Sequence, residues 1–218
     1  MKERPTVRER LKRHDSPILN LERRIWLAED ILEFAIEKGI LDSGNLSGEV
    51  LDLGCGCGFT VLAMEELGAQ KVLGVDNFDL FKISHQDPLY GRVRGLLKKG
   101  QLVRDDARKF LARQKDEQFS LVTAFDAVAR LFEDNTMAEI GRVLAPKGQF
   151  LLTWRDIPSD TKRDEDQNHW YLSAIPEINW GRVTILNLDG FEPEPSSFKI
   201  EVQHLLVATK EENEDKGQ

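Results

Sequence analysis

The chain has 218 residues, the size of one large domain, and with 40% hydrophobic and 31% charged residues it has the composition of a globular protein with a single sizeable core. No run approaches the roughly 20 apolar residues a membrane-spanning helix needs, and the charged stretch from Lys2 to His14 has no apolar segment behind it, so neither a span nor a secretory signal is expected and the location reads as cytoplasmic. The net charge of -8 argues against a protein whose main work is neutralising nucleic-acid phosphates.

In chain order, residues 1–14 form a basic arm, six Lys/Arg against two Glu, either a solvated chain end or a phosphate contact. Ile18, Leu21, Ile25, Ala28, Leu32 and Ala35 then recur at spacings of three and four, which predicts a helix over Pro17–Lys38, capped by Ser16 and ended by Gly39. Arm and helix make an N-terminal segment, residues 1–47, that packs on the domain that follows, residues 48–210. In that domain strands are expected at Glu49–Leu53, Lys71–Val75, Gln101–Arg104, Ser120–Phe125 and Gln149–Trp154. Helices are expected near Thr60–Leu67, Ala107–Gln114 and Thr136–Leu144. Pro88, Gly91 and Gly95 predict a broken or displaced helix between residues 77 and 100. Strand–helix alternation implies a parallel sheet with helices on both faces. Arg155–Trp180 is too long for a plain connection and reads as a lid insert, Phe198–Thr209 reads as part of an antiparallel hairpin at the sheet edge, and Glu211–Gln218 reads as a disordered acidic tail.

The most informative stretch is Asp52-Leu53-Gly54-Cys55-Gly56-Cys57-Gly58-Phe59-Thr60, a strand that turns through three alternating glycines into a helix. Glycine accepts positive φ and lets a ligand approach the backbone, and the loop sits at the carboxyl end of the first strand, where open α/β sheets bind ligands. A dinucleotide loop would place its third glycine at Phe59, which opposes a nicotinamide dehydrogenase. Asp52 is a charged residue where a buried strand prefers an apolar one. Asp76 closes the second strand 22 residues after Gly54, near the offset of about 20 expected for a carboxylate that accepts ribose hydroxyls. Cys55 and Cys57 are too few for a disulfide framework or a zinc site, and no metal is expected; between glycines they read as small filler.

These residues resemble the first motif of the class I S-adenosylmethionine-dependent methyltransferases, an acid followed by Gly-x-Gly-x-Gly, and Asp76 matches the acid that closes that family's second strand. Asp106-Ala107 resembles the pair beside the adenine amino group, and Arg142-Val143-Leu144-Ala145-Pro146-Lys147-Gly148 resembles the passage into the fifth strand. The resemblance covers residues 48–154 and implies an α/β, Rossmann-like, seven-stranded, mostly parallel sheet with an antiparallel C-terminal hairpin. It implies S-adenosyl-L-methionine as cofactor, with Asp52, Gly54, Cys55, Gly56 and Gly58 toward the methionine part, Asp76 and Asn77 at the ribose, Asp106 and Ala107 at the adenine, and Phe125 near the methyl. Two departures stand out: Ser120 replaces the acid that small-molecule enzymes often carry before the fourth strand, and Ala124-Phe125-Asp126-Ala127 replaces the Asn-Pro-Pro-Tyr of exocyclic-amine enzymes, so DNA is not an expected acceptor.

Methyl transfer needs positioning first and a base only when the acceptor is protonated. Asp126, after the fourth strand, is the candidate acceptor contact or base, helix capping being its other possible role. His169, beside Trp170 and Tyr171 in the expected lid, is the candidate proton acceptor, and Trp154 a candidate wall. His85 could border the site, His204 reads as structural, and His14 lies in the arm. The lid's Asp160, Asp164, Glu165 and Asp166 favour a neutral or cationic acceptor over a phosphate-rich one. The expected acceptor is a small molecule, with RNA, protein or a non-catalytic binding role as alternatives.

Overall fold

The computed structural model describes residues 19–77, 88–125, 135–154, 180–188 and 204–212. Seven strands form one sheet: β1 Glu49–Leu53, β2 Lys71–Asp76, β3 Gln101–Arg104, β4 Phe119–Phe125, β5 Leu144–Trp154, β6 Trp180–Asn187 and β7 His204–Lys210. Their spatial order is β3-β2-β1-β4-β5-β7-β6. Strands β1 to β5 pair in parallel, β7 runs antiparallel to β5, and β6 runs antiparallel to β7. The sheet is thus the expected seven-stranded, mostly parallel one with an antiparallel hairpin at its edge. Because β1 lies between β2 and β4, successive crossovers leave it in opposite directions, and a crevice opens at the carboxyl ends of β1 and β4.

Among the described residues five helices flank the sheet: α1 Leu19–Glu37, α2 Phe59–Glu66, α3 Pro88–Leu96, α4 Ala107–Leu111 and α5 Thr136–Val143. Alternation along each strand divides the core in two. Val50, Val72, Leu121, Leu151 and Val207 face one side with Ile31 and Leu32 of α1 and Val61 and Met64 of α2, while Leu51, Val75, Val122, Phe150 and Leu206 face the other with Phe110 of α4 and Ile140 of α5. Such two-sided burial is what near-continuous apolar strands require.

Helix α1 ends as its sequence predicts. Gly39 takes φ +65°, its N–H reaches the carbonyl of Ile36 at 2.9 Å, and the N–H of Ile40 reaches that of Ala35 at 3.0 Å, the paired bonds of a left-handed C-cap. The connection to β1 is a 3-10 turn, Ser43–Ser47, whose cap Asp42 accepts the N–H of Gly44 at 2.8 Å. Gln149 of β5 holds this connection: its amide donates to the carbonyl of Ile40 at 2.8 Å and to Thr209 Oγ1 at 3.1 Å, and its oxygen accepts from Asp42 N at 2.7 Å and Asn45 Nδ2 at 2.9 Å.

Several boundaries differ from the sequence expectation. Helix α4 stops at Leu111, the next three residues closing as tight turns. Strand β5 begins at Leu144, which pairs with Phe119, and regains register only at Gln149 opposite Leu121; Lys147 at φ +62° lies in the bulge between. Trp180 is not the end of a lid but the first residue of β6. The helix expected between residues 77 and 100 is present but starts at Pro88, where the missing N–H costs nothing. Ser120 is a staple: its hydroxyl donates to the carbonyls of Asn45 at 2.6 Å and Glu49 at 3.1 Å, so close to Gly48 that a Cβ there would lie 2.4 Å from Ser120 Oγ.

Candidate functional site

Three left-handed glycines build the loop after β1: Gly54 at φ +71°, Gly56 at +51° and Gly58 at +86°. The loop leans onto the neighbouring strand, because the N–H groups of Gly54 and Cys55 both reach the carbonyl of Val75, at 2.8 and 3.2 Å. Gly58 then starts α2 without a side-chain cap. A Cβ on Gly58 would strike Leu102 Cδ2 at 2.8 Å, whereas one on Gly56 would meet nothing within 4 Å. The backbone at Gly56 is thus open to an incoming group.

The N–H of Gly56 donates to Asp76 Oδ2 at 2.9 Å, tying the loop to the acid that closes β2. The spacing of Gly54 and Asp76 therefore corresponds to physical adjacency at the carboxyl edge of the sheet. Asn77 follows on the exposed rim. The backbone N–H of Asp105 joins the carbonyl of Asp76 at 3.0 Å, which brings Asp105 and Asp106 to the same edge. Asp106 caps α4, its Oδ1 accepting from the N–H groups of Arg108 at 3.1 Å and Lys109 at 3.2 Å. Burial raises its pKa, but the Lys109 N–H and the Arg108 side chain outweigh that and hold the carboxyl below its ordinary value. Ala107 is buried within the core on the α4 and α5 side, and Phe125, half-buried at the end of β4, packs on the α1 and α2 side.

Asp52 occupies the most unusual environment. It is 1% exposed in the middle of the sheet, flanked in register by Gly74 of β2 and Thr123 of β4. Thr123 Oγ1 donates to its Oδ1 at 2.7 Å, while its Oδ2 is buried with no hydrogen-bond partner. Burial pushes this carboxyl up to about 7, the Thr123 hydrogen bond works against the shift, and the charge of Asp76 adds to it. Gly74 is required beside it, since a Cβ there would lie 2.7 Å from Val61 Cγ2 and 2.9 Å from Cys55. Cys55 itself is buried, and burial first, then Asp52 and Asp76, push its thiol well above the ordinary value, so it is packing and not a nucleophile.

At the far side of the same edge Trp154, the last residue of β5, pairs in register with His204, the first of β7, and their rings stack with centroids 4.9 Å apart. The structure thus groups Asp52, the glycine loop, Asp76, Asn77 and Asp106 along one edge, with Phe125, Trp154 and His204 further along it. Asp126, His169, His85, Trp170, Tyr171 and the acidic lid residues lie outside the described residues, as does the basic arm. Thr123 and Gly74 were not singled out in the sequence; the hydroxyl in the otherwise apolar run Leu121–Phe125 was the available signal for the first.

A doubly wound sheet with a glycine loop at its switch point and an acid on the adjoining strand defines an α/β domain that binds a nucleoside-bearing ligand. The profile of the methyltransferase-domain family matches residues 50–148. A Methanococcus maripaludis protein named as an S-adenosyl-L-methionine-dependent methyltransferase shares the fold with a TM-score of 0.62 at 15% identity, 99% of each chain being covered. A Listeria monocytogenes protein of the same description gives 0.58 at 16% identity over 85% of this chain and 100% of its own. An S-adenosylmethionine-dependent O-methyltransferase of Thermotoga maritima gives 0.52 at 15% identity over 78% of this chain and 62% of its own. No curated protein sequence matches significantly. Residues 50–148 thus match the methyltransferase-domain family, and the chain shares the fold of these S-adenosylmethionine-dependent methyltransferases, which agrees with S-adenosyl-L-methionine as the expected methyl donor.

Proposed function

We propose that the chain methylates a small neutral or cationic molecule in the cytoplasm, with the donor held along the edge from Asp52 to Asp106. The supporting observation is the concentration of carboxylates at the mouth: Asp76, Asp105 and Asp106 lie together beside the glycine loop, with Asp52 beneath it. The ion pairs of Asp105 with Arg113 and of Asp106 with Arg108 offset part of this charge, and the net negative remainder favours a cation over a polyanion. The edge fits the donor, because the backbone at Gly56 is open to an amino-acid end, Asp76 at the end of β2 supplies a carboxylate for the ribose hydroxyls, and Asp106 stands one strand further on toward the base.

The donor supplies a methyl group on a sulfonium that already carries its leaving group. What remains for the protein is to orient two molecules and exclude water. Phe125 at the end of β4 and the Trp154–His204 stack at the end of β5 are the described residues placed to shape the acceptor side. Asp126 and His169 are our proposed acceptor contacts, either of which could take a proton from a hydroxyl or ammonium group.

Incubation of the purified chain with methyl-labelled S-adenosylmethionine and a cell extract, separated into small-molecule, RNA and protein fractions, tests this reading. Label in the small-molecule fraction, lost with Asp76→Ala, is expected. Label confined to RNA or protein would replace the small-molecule acceptor with a macromolecule and make residues 1–14 the next segment to truncate.

A further inference from the structure

We propose that the outer edge of β6 is a self-association surface: two copies of the chain pair antiparallel through this strand, about a two-fold axis at Thr184, and join their sheets into one. The inference is independent of which molecule accepts the methyl group.

The two edges of the sheet are built differently. Strand β3 has four residues, Gln101 and Arg104 are exposed at its ends, and the exposed Lys98 and Lys99 precede it. A short edge strand fenced by cations resists pairing with another chain. Strand β6 has eight residues, about 27 Å of extended chain, and among the described strands it pairs with β7 alone. Arg182 is its one charged residue, and it contains no proline. Val183 and Ile185 stand 39% and 46% exposed, the two exposed large hydrophobic residues among those described. An edge that is long, apolar and unguarded is a template for a further strand.

Register decides what that further strand has to match. Val183 lies opposite Ala208 of β7, which lies opposite Phe150 of β5, and Ile185 lies opposite Leu206, which lies opposite Leu152. Both therefore continue rows of the core on the α4 and α5 side, where Ala208, Phe150, Leu206 and Leu152 are buried. A second copy completes both rows at once. With the axis at Thr184, Val183 falls opposite the partner's Ile185 and Ile185 opposite the partner's Val183, so four β-branched side chains cluster on the face where they are now exposed. The contact is isologous, as a closed dimer requires. Charge does not oppose it: Arg182 falls opposite the partner's Leu186, and the two guanidinium-bearing positions are about 14 Å apart, beyond the Debye length of roughly 8 Å at physiological salt. Contact through one strand is narrower than a standard interface of roughly 800 Å² per copy, so the dimer is a reversible, concentration-dependent one.

Sedimentation velocity of the full chain between about 1 and 100 µM, the range of a weak interface, tests this. Expected is a monomer–dimer equilibrium that is unchanged when salt is raised from about 0.1 to 0.5 M, and that Ile185→Lys weakens at least about tenfold. Thr184→Cys places two thiols directly across the axis and should give a disulfide-linked dimer on mild oxidation with diamide. Wild type should not, because Cys55 and Cys57 belong to the loop after β1, four strands away. A chain that stays monomeric at the highest concentration would overturn the proposal and leave the edge to another occupant. A dimer that salt dissociates, or that Ile185→Lys leaves intact, would overturn it in favour of a different surface, and a dimer that Thr184→Cys does not cross-link would overturn the register. Should Ile185→Lys fail to fold, the wild-type sedimentation and the cross-link still decide.

Discussion

Asp52 makes the free protein less stable as the pH rises. Its carboxyl titrates near 7 when folded and near 3.8 when not, so between those values the native state binds more protons than the unfolded one. Stability therefore falls as pH rises through that window and is level above it. Asp52→Asn keeps the shape and an acceptor for Thr123 but removes the charge. We expect the unliganded variant to be more stable than wild type at pH 8 by about 2 kcal/mol, because the lost ionisation cost exceeds that of an unpartnered amide, and the order to reverse near pH 4, where the native wild-type carboxyl is protonated and only the amide cost remains. Urea melts at the two pH values check this, and a variant less stable at pH 8 would mean that the carboxylate is satisfied in the fold. Gly74→Ala at the neighbouring position would press a methyl group into Val61 and Cys55 and should cost about 1–3 kcal/mol. The sequence marked Asp52 as anomalous because a charge interrupts an apolar strand. Its isolation was not legible there, since it depends on which residues of β2 and β4 fall beside it in register.

Among the elements, β1 to β5 were legible because parallel strands buried on both faces read as apolar runs separated by glycine and helical periodicity. Strand β6 was missed because it is an edge strand: Gly181, Arg182, Val183 and Ile185 are exposed, so its pattern is mixed, and Trp180 looked like part of an aromatic cluster upstream. Arg142 carries a role that its motif did not predict. Its guanidinium donates to the carbonyls of Leu111 at 2.8 Å and Gln114 at 3.0 Å and to Glu139 Oε2 at 2.7 Å, fastening the end of α4 to α5; Glu139 first, then Asp116, raise its pKa further. Gln149 does the equivalent work on the other face, where three of its four hydrogen bonds hold the turn that leads from α1 into β1 and the fourth goes to Thr209 of β7. Gln149→Leu would remove the partner of the part-buried Ile40 carbonyl and Asp42 N–H, and we expect it to lower stability by about 2 kcal/mol in urea melts. A change below about 0.5 kcal/mol would show that water reaches those groups.

At the scale of the whole molecule, the proposed donor site joins elements that are far apart in sequence: the loop after β1, the end of β2 and the start of α4. A ligand that binds only the folded state stabilises it by mass action, about 2.7 kcal/mol at a hundred times its Kd. For a chain of this length that corresponds to a rise in Tm of about 5–10 °C, and S-adenosylhomocysteine should produce it in thermal unfolding. 5′-Methylthioadenosine, which lacks the contacts of the amino-acid end, should need a higher concentration for the same rise. Among the described residues no helix is long and apolar enough to cross a membrane.

The proposed donor site depends most on Asp76, the residue that joins the glycine loop to the second strand and to which we assign the ribose. Calorimetric titration of S-adenosylhomocysteine into wild type and Asp76→Ala at pH 8 tests it most directly. The account predicts one binding site in wild type and at least about tenfold weaker binding in the variant, the loss expected when hydrogen bonds to a charged acceptor are removed. Equal affinities in two folded proteins would contradict it and move the ribose away from the end of β2.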